Sequence, residues 1–331
     1  MPNYLPLSMQ VISAFVLLLT SLAAEATNYE VPRNVHGDPD LQGIWTSATI
    51  TRLNRPVQFY DLILTPEQAA ASEQAMGEQM EAIDNPSDPS EGGGVGGYNS
   101  FWMDPGTRVL RVRDEIRSSI LVYPKDGQLP MRLGARAKLG QFFLRVQGAF
   151  DGPEQRPLGE RCIVGFGSTG GPPMLPVLYN NNYQFVQSKD SVMILVEMNH
   201  DARIVRMNAE HLPDNVRPWM GDSIGRWEGD TLFVETTNFH PGQSFRVALK
   251  HQFYVTKDAI VKEWFTRVAE QEILYRFEVN DPGAHSDKWI GELTLHATEG
   301  PIYEYACHEA NYAMRGILRG ARLAETSPGE D

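Results

Sequence analysis

Residues 219–238 read WMGDSIGRWEGDTLFVETTN, and this stretch decides the fold. Its glycines recur at intervals of four, a spacing that favours tight turns. They precede a short run, Thr231 to Glu235, that has the alternation of a β-strand. The stretch therefore predicts a strand bordered by turns in an aromatic-rich β fold.

The chain on both sides of this stretch repeats the pattern of short strands and turns. Segments 192–198 and 203–206 are separated by a short polar break, which predicts a hairpin. Many antiparallel strands with few helical periods between them predict an all-β fold, a closed antiparallel barrel or a sandwich, possibly of two packed β halves. Further strands are predicted at 120–123, 183–186, 245–254, 260–266, 273–279, 288–295 and 303–306.

One segment before residue 110 is strongly helical. Thr65, Pro66 and Gln68 supply an N-cap, a proline at the first helical position and a capping-box partner. Alanine and glutamate then dominate, which predicts a helix over 65–83. Segment 84–97 is rich in Pro, Ser and Gly and predicts a flexible loop, with an interdomain linker as the alternative.

The first 26 residues have the layout of an export signal. An apolar run over residues 11–22 precedes Ala24-Glu25-Ala26, whose small residues suit a signal peptidase. The run is shorter than the roughly 20 residues that a bilayer span needs, although an uncleaved anchor is the alternative. We therefore predict a periplasmic or secreted protein with no membrane span after signal removal.

Composition describes an acidic protein. The chain holds 42 Asp and Glu against 29 Lys and Arg, a formal net charge of −13, which becomes −12 if Glu25 leaves with the signal. Nucleic acid or an anionic membrane would require a basic face, so neither is predicted as a partner. Residues 27–331 suffice for a single β-barrel domain. The sequence specifies no oligomer.

The two cysteines, Cys162 and Cys307, predict one disulfide that closes a long loop in an oxidising compartment. A buried free thiol is the alternative, as is a reactive Cys307 beside His308.

Five motifs stand out along the chain: DLQGIW at 40–45, YNNNYQ at 179–184, HDARI at 200–204, GDSIGRWEGDTL at 221–232 and EYACHE at 304–309. Together they resemble a family of exported bacterial proteins, common in acidobacteria and in proteobacteria that degrade aromatic compounds. The similarity extends from about residue 38 to residue 322. The resemblance implies a lipocalin-like β-barrel and assigns no reaction.

His200 is the first candidate for catalysis, because an imidazole is the usual acid-base group at neutral pH. Asp201 and Arg203 lie close enough in sequence to orient it, and we assign Asp201 to catalysis and Arg203 to substrate binding. A solvent-facing hairpin tip is the alternative interpretation of this segment.

A second cluster lies near the C-terminus. His308 and Tyr305 are predicted catalytic groups, and the neighbouring aromatic and polar residues are predicted to bind a flat apolar ligand. The alternative is a strand end whose tyrosines fill the core. The predicted binding residues of this cluster are Tyr303, Glu309, Asn311 and Tyr312.

The third cluster belongs to the opening stretch. Glu235 is a predicted general acid or base, provided that its strand face lines the barrel interior, where burial would raise its pKa. Trp219, Asp222 and Asn238 are predicted to bind substrate, with turn formation as the structural alternative for the acidic residues.

Several catalytic signatures are missing from the sequence: the nucleophile elbow, the phosphate loop, the dinucleotide fingerprint and the metalloprotease helix. No metal and no cofactor is predicted, although His200, His240 and His308 could converge on one. The leading hypothesis is therefore a cofactor-independent lyase, dehydratase or isomerase that acts on a small hydrophobic aromatic or terpenoid molecule, for example by eliminating water or formaldehyde from a lignin-derived aromatic. The alternative is a periplasmic lipocalin-like protein that binds such a molecule without catalysis.

Overall fold

A closed β-barrel of nine strands forms the body of the protein, in a computed structural model that describes residues 29–84, 103–309 and 311–326. Val31–Asp331 forms one compact unit. The predicted export signal lies outside the described residues, as does the predicted loop beyond Asp84. The prediction of an all-β barrel is confirmed.

The described residues form fourteen strands and three α-helices. The helices are α1 (Pro66–Asp84), α2 (Leu133–Gly148) and α3 (Tyr312–Thr326). The strands are β1 (Gly43–Thr46), β2 (Arg111–Val112), β3 (Glu115–Ile116), β4 (Leu121–Tyr123), β5 (Asn182–Gln187), β6 (Ser191–Val196), β7 (Ala202–Met207), β8 (Asp222–Glu228), β9 (Thr231–Thr237), β10 (Phe245–Ala248), β11 (His251–Tyr254), β12 (Ile260–Ala269), β13 (Glu272–Asn280) and β14 (Trp289–Ala297).

The barrel runs in the order β1-β5-β6-β7-β8-β9-β12-β13-β14 and closes where β14 pairs with β1, with Trp45 opposite Ala297. Strand β4 attaches to β14 as a tenth strand. The predicted β6–β7 hairpin is present. The expectation of a purely antiparallel barrel was wrong in one place, because β7 and β8 run parallel. Segment 208–221 must therefore return the chain to the end at which β7 began.

The barrel interior is a packed core. Alternate residues point inward along β13, where Ile273, Tyr275 and Phe277 are fully buried, and Tyr183 and Phe185 do the same on β5. Barrels of about eight strands are wide enough to be filled by side chains or to hold one small ligand. Here the inward rings of β5 and β13 occupy part of the interior.

The predicted helix over 65–83 is confirmed as α1, with its capping box intact. The Thr65 backbone N donates to Gln68 Oε1 at 2.9 Å, and the Gln68 backbone N donates to Thr65 Oγ1 at 3.2 Å. Two other predictions were wrong. Segment 245–254 forms two strands, β10 and β11, rather than one, and segment 303–306 forms no strand.

The predicted disulfide is confirmed between Cys162 and Cys307, whose Cα atoms lie 5.7 Å apart across 145 residues of sequence. Beside it, Asn311 Nδ2 donates to the Glu160 backbone carbonyl at 2.9 Å. The two links fasten the segment before α3 to the segment that follows α2. Neither a free thiol nor a reactive Cys307 is compatible with the bonded pair.

Candidate functional site

His200, Asp201 and Tyr305 of the predicted catalytic set come together at one end of the barrel. His200 lies in a turn after β6 with a left-handed backbone, is exposed, and its Nδ1 lies 3.2 Å from the Tyr305 backbone carbonyl. The half-buried Asp201 accepts a hydrogen bond from Gly165 N at 2.8 Å. Among the described residues, no hydrogen bond joins His200 to a carboxylate or to His308.

The C-terminal cluster does not form the predicted tyrosine pocket. Tyr303 and Tyr312 are 72% and 76% exposed, and His308 and Glu309 are exposed as well. Asn311 Oδ1 accepts a hydrogen bond from the Met314 backbone N at the start of α3. Tyr303, His308 and Glu309 therefore lie on the outside of the barrel rather than in its wall, whereas Asn311 and Tyr312 lie at the start of α3.

Glu235 faces outward, so the condition for its predicted catalytic role is not met. On β9 the neighbouring Leu232 and Val234 are fully buried, and alternation turns Glu235 to the opposite face. Its carboxylate lies 3.5 Å from His211 Nε2 and 3.7 Å from Lys262 Nζ. Glu235 thus belongs to a surface charge cluster.

Asp222 and Asn238 hold the crossing segment 208–221 in place. Asp222 accepts hydrogen bonds from His211 Nδ1 and the Leu212 backbone N, each at 2.8 Å, and these bonds outweigh burial to lower its pKa. Asn238 Nδ2 donates to three backbone carbonyls of the same segment, at 2.9 to 3.2 Å. Both side chains therefore stabilise the crossing segment through hydrogen bonds, and their assignment to substrate binding stays a prediction.

Arg203 is enclosed in the barrel core and cannot contact a ligand from outside. Its side chain is 2% exposed and makes a bidentate ion pair with Glu263 at 2.6 and 3.1 Å. Tyr275 Oη donates to the same carboxylate at 2.6 Å. The assignment of Arg203 to substrate binding was therefore wrong.

Trp219 lines a cavity of about 260 Å³ on the outside of the barrel, which we call the outer cleft. Four parts of the chain form it: the second half of α2, segment 154–167, Trp219 itself and segment 242–247. Its lining residues are Phe142, Arg145, Glu154, Arg156, Pro157, Leu158, Gly159, Arg161, Val164, Gly165, Phe166, Gly167, Trp219, Gly242, Gln243, Phe245 and Val247.

Aromatic rings form the walls of the outer cleft. Phe142 and Phe245 stack with their centroids 4.5 Å apart and their planes inclined by 20°. Trp219 packs on His240 at 3.9 Å, and Phe245 also meets Tyr254 edge-on at 5.1 Å. Because each ring is supported by another, the walls are held in position before any ligand arrives.

Gln243 fastens the floor of the cleft to the barrel. With its amide oxygen turned toward Arg246, Gln243 accepts a hydrogen bond from the guanidinium and donates to the Trp219 backbone carbonyl. Gly165 also lines the cleft, and its backbone N donates a hydrogen bond to the Asp201 carboxylate. The floor is thus connected to the Asp201 end of the predicted catalytic set.

Buried ionisable groups lie behind this floor. Burial raises the pKa of the Asp201 carboxyl to about 6, against the opposing charges of His200 and Arg246. Burial lowers the pKa of Arg246 to about 10 and that of His251 to about 3. Asp201 therefore changes protonation near neutral pH, whereas His251 stays neutral and accepts a hydrogen bond from Ser168 N at 3.0 Å.

The outer cleft is cationic although the chain as a whole is acidic. Arg145, Arg156 and Arg161 face it against a single acidic residue, Glu154. Of these residues the sequence analysis singled out none, and Trp219 is the only predicted site residue in the lining. The one feature of the sequence that could have indicated this cleft is the position of Arg161 next to Cys162 of the disulfide.

A second cavity, of about 540 Å³, runs along α1. Its lining combines aliphatic, amide and hydroxyl side chains with Arg52 and Arg117, and Phe59 is its one aromatic ring. It contains no predicted site residue, so the outer cleft is the stronger candidate.

The described residues contain no group of three or more His, Cys, Asp or Glu side chains arranged to hold a metal ion. None of the helices described is long and apolar enough to cross a bilayer. Compared with known proteins, the chain matches no protein-family model, no curated protein and no solved structure. The resemblance to exported bacterial proteins therefore stays a prediction, and the function is argued from geometry.

Proposed function

We propose that the protein binds a small, flat, largely hydrophobic molecule in the outer cleft, without transforming it. The observation that supports this proposal is the supported pair of aromatic walls, Phe142 on Phe245 and Trp219 on His240. Flat ligands bind well between rigid rings because little conformational freedom is lost on binding. The volume of about 260 Å³ lies just below the usual range of roughly 300–1,000 Å³ for ligand pockets, which favours a molecule of one or two rings.

Binding is favoured over catalysis because the predicted catalytic histidines lie on outer turns. An acid-base mechanism requires a base and an acid within reach of one bound substrate. His200 and His308 are both exposed, and Glu235 is half-buried on the outer face of the barrel, beside His211 and Lys262.

We also propose that the protein acts in the periplasm or outside the cell. A disulfide between Cys162 and Cys307 persists in oxidising compartments and is rare in the cytosol. The export signal predicted over residues 1–26 agrees with this location.

Catalysis by a lyase or isomerase is a second candidate function, and Asp201 is the observation that favours it. Its pKa of about 6 suits a general acid or base, and it is bonded to Gly165 in the cleft lining. Incubation with aromatic alcohols, followed by mass spectrometry for loss of water or formaldehyde, tests this candidate. Product that forms with the wild type and not with Asp201→Asn would establish catalysis; unchanged ligands would leave binding alone.

The binding proposal is tested by calorimetric titration with single-ring and two-ring aromatic molecules. We expect Phe245→Ala and Trp219→Ala each to weaken binding at least about tenfold, because each removes one aromatic wall. Trp264 lies on the outer barrel surface against Phe233, so Trp264→Ala is the matched control and should bind as the wild type does. Equal affinities in all four proteins would reject the outer cleft as the binding site.

A further inference from the structure

Resting on the proposed function, we infer that the ligand is an aromatic monocarboxylate whose carboxylate is bound by Arg161 together with Arg145. The chain has a net charge of −13, yet its outer cleft presents three arginines and one glutamate. A cationic cavity on an acidic protein attracts anions locally while the rest of the surface repels them.

One of the three arginines is already occupied by the protein. Arg156 makes a bidentate ion pair with Glu160 at 2.9 and 3.2 Å, and its Nη1 donates to the Val146 carbonyl at 2.6 Å. It also lies over the Phe150 ring at 4.6 Å. Arg156 therefore braces α2 against segment 153–160 and has little capacity left for a ligand.

Arg161 and Arg145 are free to bind an anion. Among the described residues, neither forms an ion pair, and the Arg145 guanidinium lies 5.9 Å from the centroid of the Phe142 ring. A guanidinium offers parallel N–H donors that match the two oxygens of a carboxylate. The half-buried Arg161 is the better placed of the two, because partial burial strengthens its attraction for an opposite charge.

The disulfide fixes the turn that carries Arg161. The next residue, Cys162, is bonded to Cys307, and the Arg161 backbone N donates to the Pro157 carbonyl at 3.2 Å. A guanidinium on an anchored turn loses less freedom on binding than one on a loose loop. Glu154 faces the same cleft and opposes a second negative charge, which favours a monoanion.

The test compares naphthoate with the corresponding naphthyl alcohol, which has the same rings and no charge. For the wild type we expect naphthoate to bind at least about tenfold more tightly than the alcohol, with a preference that shrinks as salt is added. Arg161→Met should abolish the preference while leaving the affinity for the alcohol unchanged. Arg161→Lys should restore part of it, because the charge returns without the bidentate geometry.

Arg226→Met is the matched control, since Arg226 forms an exposed ion pair with Glu228 outside the cleft. It should leave both affinities unchanged. Equal binding of acid and alcohol, with both weakened by Phe245→Ala, would overturn the carboxylate inference and leave the proposed function standing. A preference for the acid that survives Arg145→Met/Arg161→Met would also overturn the inference. Failure of both probes to bind would reject the proposed function itself.

Discussion

Replacing Glu263 by glutamine tests whether the charged pair in the barrel core is structural. Glutamine retains the shape and one acceptor oxygen for Arg203 and Tyr275, but it leaves the guanidinium without a counter-charge. The side chains of Arg203 and Glu263 are 2% and 0% exposed, so water cannot replace the lost carboxylate. Breaking a buried ion pair in this way costs about 3–5 kcal/mol of unfolding free energy.

A second variant distinguishes the free energy lost when one charge is left unpaired from the net contribution of the intact ion pair to stability. Arg203→Met/Glu263→Leu removes both charges and keeps apolar volume, an exchange that is often close to neutral. Tyr275 loses its acceptor but still accepts a hydrogen bond from Met174 N, so we expect the double variant to lie within about 2 kcal/mol of the wild type.

Urea unfolding followed by circular dichroism measures both variants. For a domain of this size, a loss of about 4 kcal/mol also lowers the melting temperature by roughly 6 °C. Glu228→Gln, which breaks the exposed pair with Arg226, is the control and should cost less than about 1 kcal/mol. If Glu263→Gln costs no more than this control, the guanidinium is hydrated, and a packed barrel core is the wrong description.

Three further predictions concern the surroundings of the cleft. Cys162→Ser/Cys307→Ser should lose about 2–4 kcal/mol of stability in urea titrations, because the bond closes a loop of 145 residues; an unchanged midpoint would contradict this. The folded protein holds the Asp201 proton more tightly than the unfolded chain does, so the contribution of Asp201 to stability should fall as pH rises from 3.8 to about 6, and Asp201→Asn should lack that contribution when its profile is compared with the wild type. Identical pH profiles would refute the Asp201 assignment. In Gly242→Ala, the new methyl would lie 3.0 Å from His240 Nδ1 and 3.1 Å from the Trp219 ring, so the stacked pair must shift and calorimetry should show several-fold weaker binding; wild-type affinity would show that the pair can move without harm to binding.

The barrel strands were predictable from sequence because their inward residues alternate with outward ones. On β13 this alternation runs from Ile273 to Val279 without interruption, and β5 and β9 carry shorter versions of it. The α1 helix was predictable from its capping box. In these elements, the residues that the local sequence pattern favours are also the residues that suit the positions they occupy in the folded protein.

Helix α2 was not predicted from the sequence, because so few of its residues are buried that its apolar residues show no helical periodicity. Only Ala135 and Leu139 are buried along it, whereas Leu144 is 71% exposed. Its remaining apolar residues include Phe142, which faces the cleft rather than the core. A helix that contributes to a site in this way does not show a clear amphipathic stripe.

The outer cleft was beyond sequence reasoning because its parts are far apart in the chain. Phe142, Arg161, Trp219 and Phe245 come from separate segments, and no spacing rule connects them. His308 attracted a catalytic assignment through its neighbours Cys307 and Glu309, yet the disulfide explains that motif structurally. Trp219 is the one residue of the cleft lining that the sequence predicted as part of a site, and Asp201 is linked to the lining through Gly165.

The pairing of β1 with β14 has a consequence for how the newly made chain reaches its native state. The two strands lie about 250 residues apart, so the ring of hydrogen bonds cannot close until the chain has been made as far as β14. A nascent chain that ends before residue 289 exposes unpaired edges on β1 and β13, which are ready templates for another chain. Closure of the barrel by β14 therefore removes two edges that could otherwise pair with another chain.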